Sequence, residues 1–436
     1  MKESYPTAEI ARKYIAGGVV SLNRKVQPDI IFRYGKGSKI WDIDGKEYID
    51  YHAAFAPHLL GHNNENINKA VQEAMLESWS LMGTGTTYWE ARLAELLCEV
   101  IPSLELVQVT NTGSEATAHA IRLARAWTGK DHIILTMGGY NGWHNEVARA
   151  VMPTLEQAGE RRSGDEYPFI PLSAGIPEST RKMIHIVNFN DLDSVEAMIK
   201  KYPVACIMTE PVLQNVGVIH PDEGYLEDLI QLCKSNDILC IFDEVKTGFR
   251  TSLSGYQGMH NLKPDLSVFG KAIANGYPLG VIGGRKDIME LFDSKEPARK
   301  VLIAGTYNAH PFNTAAAIAT IEILRNNEVY NTLDNLTRLL LNGLSRIFSE
   351  NGVEAITENN ASAFCTYFMS DKPRDIHDIL MKHDFAFDLK YRKSLIEKGI
   401  YHIPIPCKQG SISYSHTEED IEKTLEMTEL VIKKSL

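Results

Sequence analysis

The stretch that decides the fold reads ILCIFDEVKTGFR over residues 238–250, followed by PDLSVFGKAIANGYPLGVIGG over residues 264–284. The run 238–242 is apolar throughout and lies between Asp237 and Asp243. So short a run without a polar face predicts a strand buried on both sides, as in a parallel sheet. A second such run, 266–269, ends at Gly270-Lys271. Two core strands are thus followed by an aspartate and a lysine, at the sheet edge where α/β folds collect their ligands. Taken singly, Lys271 reads as a solvated surface residue and Asp243 as a helix cap or turn residue. Taken together, and with Gly270, Ala272, Ala274 and Gly276 leaving room beside the lysine, they read as a crevice for a bulky group. A carboxylate and an amine in one crevice can hold a ring nitrogen and an aldehyde at once, and pyridoxal 5′-phosphate needs that pair.

Outward from this stretch the alternation of strands and helices continues. Residues 204–209 predict a buried strand ending at Glu210, and 225–235 a helix before the Asp243 strand. That order is the strand–helix–strand alternation of a parallel sheet with right-handed crossovers. Upstream, residues 107–110 predict a strand, the turn Asn111-Thr-Gly-Ser114 follows, and 115–128 predict a helix. A strand feeding a small-residue turn into a helix start is an anion site, because free N–H groups and the positive dipole end face the ligand. On the residues alone Ser114 also reads as a plain N-cap. Residues 132–137 predict a further strand, leading to Gly138-Gly-Tyr140-Asn-Gly-Trp143. Residues 39–51 read as two alternating strands about the hairpin dipeptide Asp44-Gly45. Residues 151–180 are polar and punctuated by glycine and proline, the pattern of a lid or a disordered loop. Arg161, Arg162 and Arg181 in and after that loop read as solvated charge, or as groups that meet an anionic substrate.

FDEVKTGFR followed by SVFGKAIANGYPLG, with NTGSEAT upstream, resembles the cofactor-binding signature of class III aminotransferases, which are fold-type I pyridoxal-phosphate enzymes. Most of the chain resembles the subgroup around glutamate-1-semialdehyde 2,1-aminomutase. The resemblance implies an α/β fold: a large domain with a central, mostly parallel seven-stranded sheet flanked by helices, and a smaller α+β domain built from the two ends of the chain. The expected boundaries are 1–55 and 313–436 for the small domain and 56–312 for the large one. It implies that Lys271 forms the Schiff base and that Asp243 pairs with the pyridine nitrogen. Gly113 and Ser114 bind the phosphate, Tyr140 lies over the ring, and Glu210 and Val245 sit beside the cofactor. Thr306, in AGTYNAHP, binds the phosphate of the partner subunit, so a homodimer with shared sites is expected. Arg24 of SLNR matches the arginine that takes the substrate carboxylate, although a surface or interface arginine is an equal reading.

Two departures from the family pattern bear on the reaction: Lys408 stands where the aminomutases have a gating glutamate, and the loop after Trp143 differs. A third, Asn141 where a histidine usually follows the tyrosine, bears on ring stacking and hydrogen bonding only. Lys246, three residues past Asp243, is the rival Schiff-base lysine. On the first two departures the expected reaction is transamination from an amino acid, a β- or D-amino acid among the candidates, to a 2-oxo acid such as 2-oxoglutarate or pyruvate. The alternative is an aminomutase or another isomerase or racemase of the same cofactor.

The 436 residues bury a large core, and 44% hydrophobic with 23% charged residues is the composition of a soluble globular protein. A net charge of −11 argues against nucleic-acid binding. The six cysteines show no CxxC spacing, and His52, His58 and His62 lack carboxylates at ligand spacing, so no metal site is expected. The polar start MKESYPTAEI and the lack of a long apolar run predict a cytoplasmic protein with no membrane contact.

Overall fold

The computed structural model describes residues 4–435, so the first three residues of the polar amino-terminal stretch lie outside it. The chain forms two compact units: Asn66–Tyr330 with Pro373–Lys382, and Met1–Glu65 with Asn331–Lys372 and His383–Leu436.

After the helix Ser4–Tyr14, the smaller unit forms β1 (Phe32–Lys36), β2 (Lys39–Asp42) and β3 (Glu47–Asp50). β2 and β3 form the hairpin expected around Asp44-Gly45, with Ile40 opposite Tyr48. Ile40 and Tyr48 pack with Ile396 and Tyr401 into one cluster, so the alternation seen in the sequence puts these side chains on a common buried face.

The larger unit carries β4 (Leu106–Thr110), β5 (His132–Thr136), β6 (Ile184–Val187), β7 (Val204–Thr209), β8 (Leu239–Asp243), β9 (Leu266–Gly270) and β10 (Gly280–Gly284). Their order across the sheet is β4-β10-β9-β8-β7-β5-β6. β10 runs antiparallel to both its neighbours, and every other pairing is parallel. Six of the seven strands therefore end at one edge. β7, β8 and β9 are buried at every position, which is why their sequences show no polar face. β8 and β9 are adjacent, with Asp243 opposite Val268, so Asp243 and the residue after Gly270 leave the sheet side by side.

The smaller unit closes with β11 (Ile356–Asn360), β12 (Ala363–Tyr367), β13 (Ile400–Tyr401) and β14 (Gly410–Ser411). β13 adds to the first sheet beside β3, and β11-β12-β14 form a second sheet. The mostly parallel seven-stranded sheet and the α+β second unit are those of the expected fold.

Residues 151–180 are not an unstructured loop. They hold the short helices Leu155–Ala158 and Glu178–Arg181, and single bridges pair Arg149 with Pro171 and Tyr167 with Ile186. Arg161 lies 2.8 Å from both Asp375 and Asp378, so its charge is spent on anchoring the segment rather than offered to a substrate. Among the described residues no helix is long and apolar enough to cross a membrane.

Candidate active site

The parallel strands bring most of the expected residues to one edge of the large sheet. Asp243 is the last residue of β8, and Lys271 follows the end of β9. Glu210 follows β7, and Tyr140 lies four residues past β5. The helix Gly113–Thr128 starts just beyond β4.

Val245 ties the two ends of this edge together. A Cβ built on Gly113 would stand 2.8 Å from Val245 Cγ2, and one on Gly270 3.3 Å from Val245 Cγ1. The turn before the helix and the backbone before Lys271 thus both lean on one side chain, which only glycine allows at position 113. Thr112 is the N-cap, accepting from the Glu115 N–H at 3.2 Å. The alternative reading of Ser114 as the cap is set aside, because Ser114 is the second residue of the helix. The backbone N–H groups of Gly113 and Ser114 make no hydrogen bond among the described residues.

Asp243 is buried, with Oδ1 accepting from the Val245 N–H at 3.1 Å and Oδ2 from Asn141 Nδ2 at 2.7 Å. Burial, and next the charge of Glu210, push its carboxyl up to about 7, against the pull of the two hydrogen bonds and of Lys271. Burial lowers the Lys271 amine from the ordinary lysine range, while the carboxylates of Asp243 and Glu210 act the other way. This amine makes no hydrogen bond or ion pair among the described residues. Lys271 also has φ 49°, a left-handed backbone that costs a non-glycine residue about 1–2 kcal/mol. Strain, lowered basicity and a missing partner coincide at one side chain.

Glu210 holds the neighbouring loop. Its carboxylate accepts from the Tyr140 N–H at 2.8 Å, the Gln214 N–H at 2.9 Å and Asn215 Nδ2 at 2.7 Å. Lys246, the rival lysine, is buried, and its Nζ donates to the Gln214 carbonyl at 2.7 Å. Thr306 is exposed on the larger unit. Its segment is tied to the anion turn through Asn111 Nδ2, which donates to Asn308 Oδ1 at 3.0 Å. Arg24 is exposed in the smaller unit. Sequence reasoning missed Arg149, which is 3% exposed and donates to Asn141 Oδ1 from both terminal nitrogens at 3.2 Å.

These residues match the three ends of pyridoxal 5′-phosphate. An unpartnered amine suits an aldehyde, an ionisable buried carboxyl a ring nitrogen, and a helix start with free N–H groups a phosphate. Such a donor set at the strand ends of a mostly parallel sheet defines a fold-type I pyridoxal-phosphate enzyme.

The family model for class III aminotransferases matches residues 21–405, and the chain belongs to that family. It is 37% identical over 417 residues to a glutamate-1-semialdehyde 2,1-aminomutase of Archaeoglobus fulgidus, covering 95% of this chain and 96% of that one. It is 38% identical over 432 residues to the enzyme of the same name from Syntrophomonas wolfei, with 98% and 96% covered. Among solved structures, an omega-transaminase from Sphaerobacter thermophilus superimposes with a TM-score of 0.91 at 26% identity, covering 99% of this chain and 97% of the other. The relatives in sequence thus favour the aminomutase, which the residue departures had put second to transamination.

Proposed function

We propose that this pyridoxal 5′-phosphate enzyme transfers an amine within one small molecule, as an aminomutase acting on an amino acid aldehyde of the glutamate 1-semialdehyde kind. The observation that carries the reading is identity of 37% and 38% to proteins of that name along nearly the whole chain. When bound, the cofactor supplies an electron sink that weakens bonds at the carbon carrying the amine.

The chain's own residues supply the rest. The Gly113 and Ser114 N–H groups, with the Ser114 hydroxyl, hold the phosphate at the helix start, and Val245 packs beside the ring. The Asp243 carboxylate accepts the ring nitrogen's N–H, and Tyr140 walls the ring, its loop held by Glu210. Lys271 Nζ would bind the aldehyde and, once released from it, take or return the proton at the substrate carbon that carries the amine. An amine suits that task better when its basicity is lowered, and burial lowers it here. Arg24 takes the substrate carboxylate through its planar fork. Thr306, exposed and linked to the anion turn, reaches the phosphate of a second subunit, making the active form a homodimer.

The departures at Lys408 and in the loop after Trp143 favour a second reading, transamination between an amino acid and a 2-oxo acid. The purified enzyme, given glutamate 1-semialdehyde and no oxo acid, is expected to convert it in many turnovers to the isomer with the amine on the neighbouring carbon. Conversion that stops after one equivalent and resumes only with an added 2-oxo acid would replace this reading with transamination.

A further inference from the structure

Arg149 is a buried cation without an anion at its side. Among the described residues its guanidinium makes no ion pair, and its terminal nitrogens donate to the carbonyls of Thr136 at 2.6 Å and Val147 at 3.3 Å. Its one side-chain partner is Asn141, whose Oδ1 takes both terminal nitrogens. A guanidinium out of water is costly unless charge is balanced nearby. Glu210 and, next, Asp243 supply the balancing charge, and Asp243 is reached one amide further on. With Oδ1 turned to the fork, Asn141 must present its Nδ2 on the other side, and there it donates to Asp243 Oδ2 at 2.7 Å. The amide is therefore not free to flip, because the opposite orientation would set an NH₂ against a guanidinium and an oxygen against a carboxylate.

We infer that Arg149 is a positioning residue for the cofactor's ring-nitrogen partner, acting on Asp243 through the locked amide of Asn141. The inference rests on the reading that Asp243 receives the ring nitrogen. Two buried carboxylates, Glu210 and Asp243, stand at this edge, and burial together with the charge of Glu210 makes Asp243 harder to ionise. Arg149 feels both, and the relay adds a fixed N–H and a distant positive charge that favour the ionised Asp243. Asn141 thereby does a different task from an imidazole at the same place. A neutral amide gripped by a guanidinium donates at every pH, whereas a histidine could lose or shift its proton.

The test is titration of the apo-protein with pyridoxal 5′-phosphate, comparing dissociation constants of Arg149→Gln, Asn141→Leu and the double variant. Each single change is expected to weaken binding about tenfold, and the double variant no more than about twofold further, because both break one link. A double variant weakened about a hundredfold, with the effects simply multiplied, overturns the relay. So does unchanged affinity in Arg149→Gln. The pH profile of binding gives a readout that a purely structural role would not move. Asp243 faces Glu210, Lys271, Tyr140, Asn141 and the Val245 N–H, and loss of the relay should raise the pH below which affinity falls by about one unit. A profile that stays in place contradicts the inference. Should the glutamine variant not fold, Arg149→Lys keeps the charge but loses the forked grip and should still weaken binding several-fold; full affinity there refutes the locked amide. Asp243→Asn separates the two claims. If it binds as well as the wild type, the reading beneath fails; if it binds poorly while the Arg149 variants do not, only this inference fails.

Discussion

Two buried or half-buried lysines, Lys246 and Lys271, lie near one carboxylate, and their surroundings distinguish them. Lys246 spends an N–H on the Gln214 carbonyl, whereas Lys271 has a strained backbone and an amine without a partner. Nothing local in the sequence separated them beyond the small residues around 271, because the direction of a side chain is set by strands that meet only in the fold. Arg149 was illegible for the same reason: a single arginine in an irregular segment carries no periodicity. Asp243 gives a prediction with a definite sign. Its carboxyl is raised from the usual carboxylate range to about 7, so in the apo-protein it contributes stability at acid pH that is lost as pH rises from about 4 toward 7. Replacement by asparagine should therefore make the apo-protein more stable at pH 8, by about 1–3 kcal/mol after allowance for its neighbours, and the gain should shrink as pH falls and vanish near pH 4. Urea melts of the two apo-proteins at both pH values check this, and equal stability at pH 8 would contradict it. The same variant should lose most of its cofactor affinity, an instance of a site that costs stability.

The strand ends and the anion turn were legible as elements because their signals are local. β7, β8 and β9 are short, wholly apolar runs, and the turn before Gly113 announces itself by its small residues. The alternative reading of Ser114 as the cap fails by two positions, since Thr112 and Ser114 are equally good caps and only the start of the helix chooses between them. What the sequence did not disclose is that Val245 seats the turn and the lysine loop at once. Gly113→Ala places a methyl 2.8 Å from Val245 Cγ2 and should cost about 1–3 kcal/mol of stability along with roughly tenfold in cofactor affinity. Adding Val245→Ala should return part of both. Thermal melts and cofactor titration of the pair would show it, and a double variant no better than the sum of the singles would not fit this packing. Thr112→Ala, which removes the cap alone, should cost about 1 kcal/mol in the same melts.

At the scale of the whole molecule, the exposed Thr306 segment makes a prediction about assembly. If each site borrows Thr306 from a second copy, Lys271→Ala chains and Thr306→Glu chains are each inactive alone. Co-assembled in equal amounts they should recover about a quarter of wild-type activity, because half of the dimers contain one complete site. No recovery above the parents would place the whole phosphate site in one chain. The parallel sheet was legible from the alternation of elements, whereas the choice between moving an amine within one molecule and between two was not. That choice depends on which side chains meet the substrate, and no local pattern in the sequence records it.

The central claim is that the amine of Lys271 is the one that takes the cofactor aldehyde. Hydride reduction of the holo-protein, followed by peptide mass spectrometry, tests it directly. A pyridoxyl mass on the peptide containing Lys271, lost in Lys271→Ala and kept in Lys246→Met, is the predicted result. The same mass on Lys246, or on no lysine at all, would contradict it.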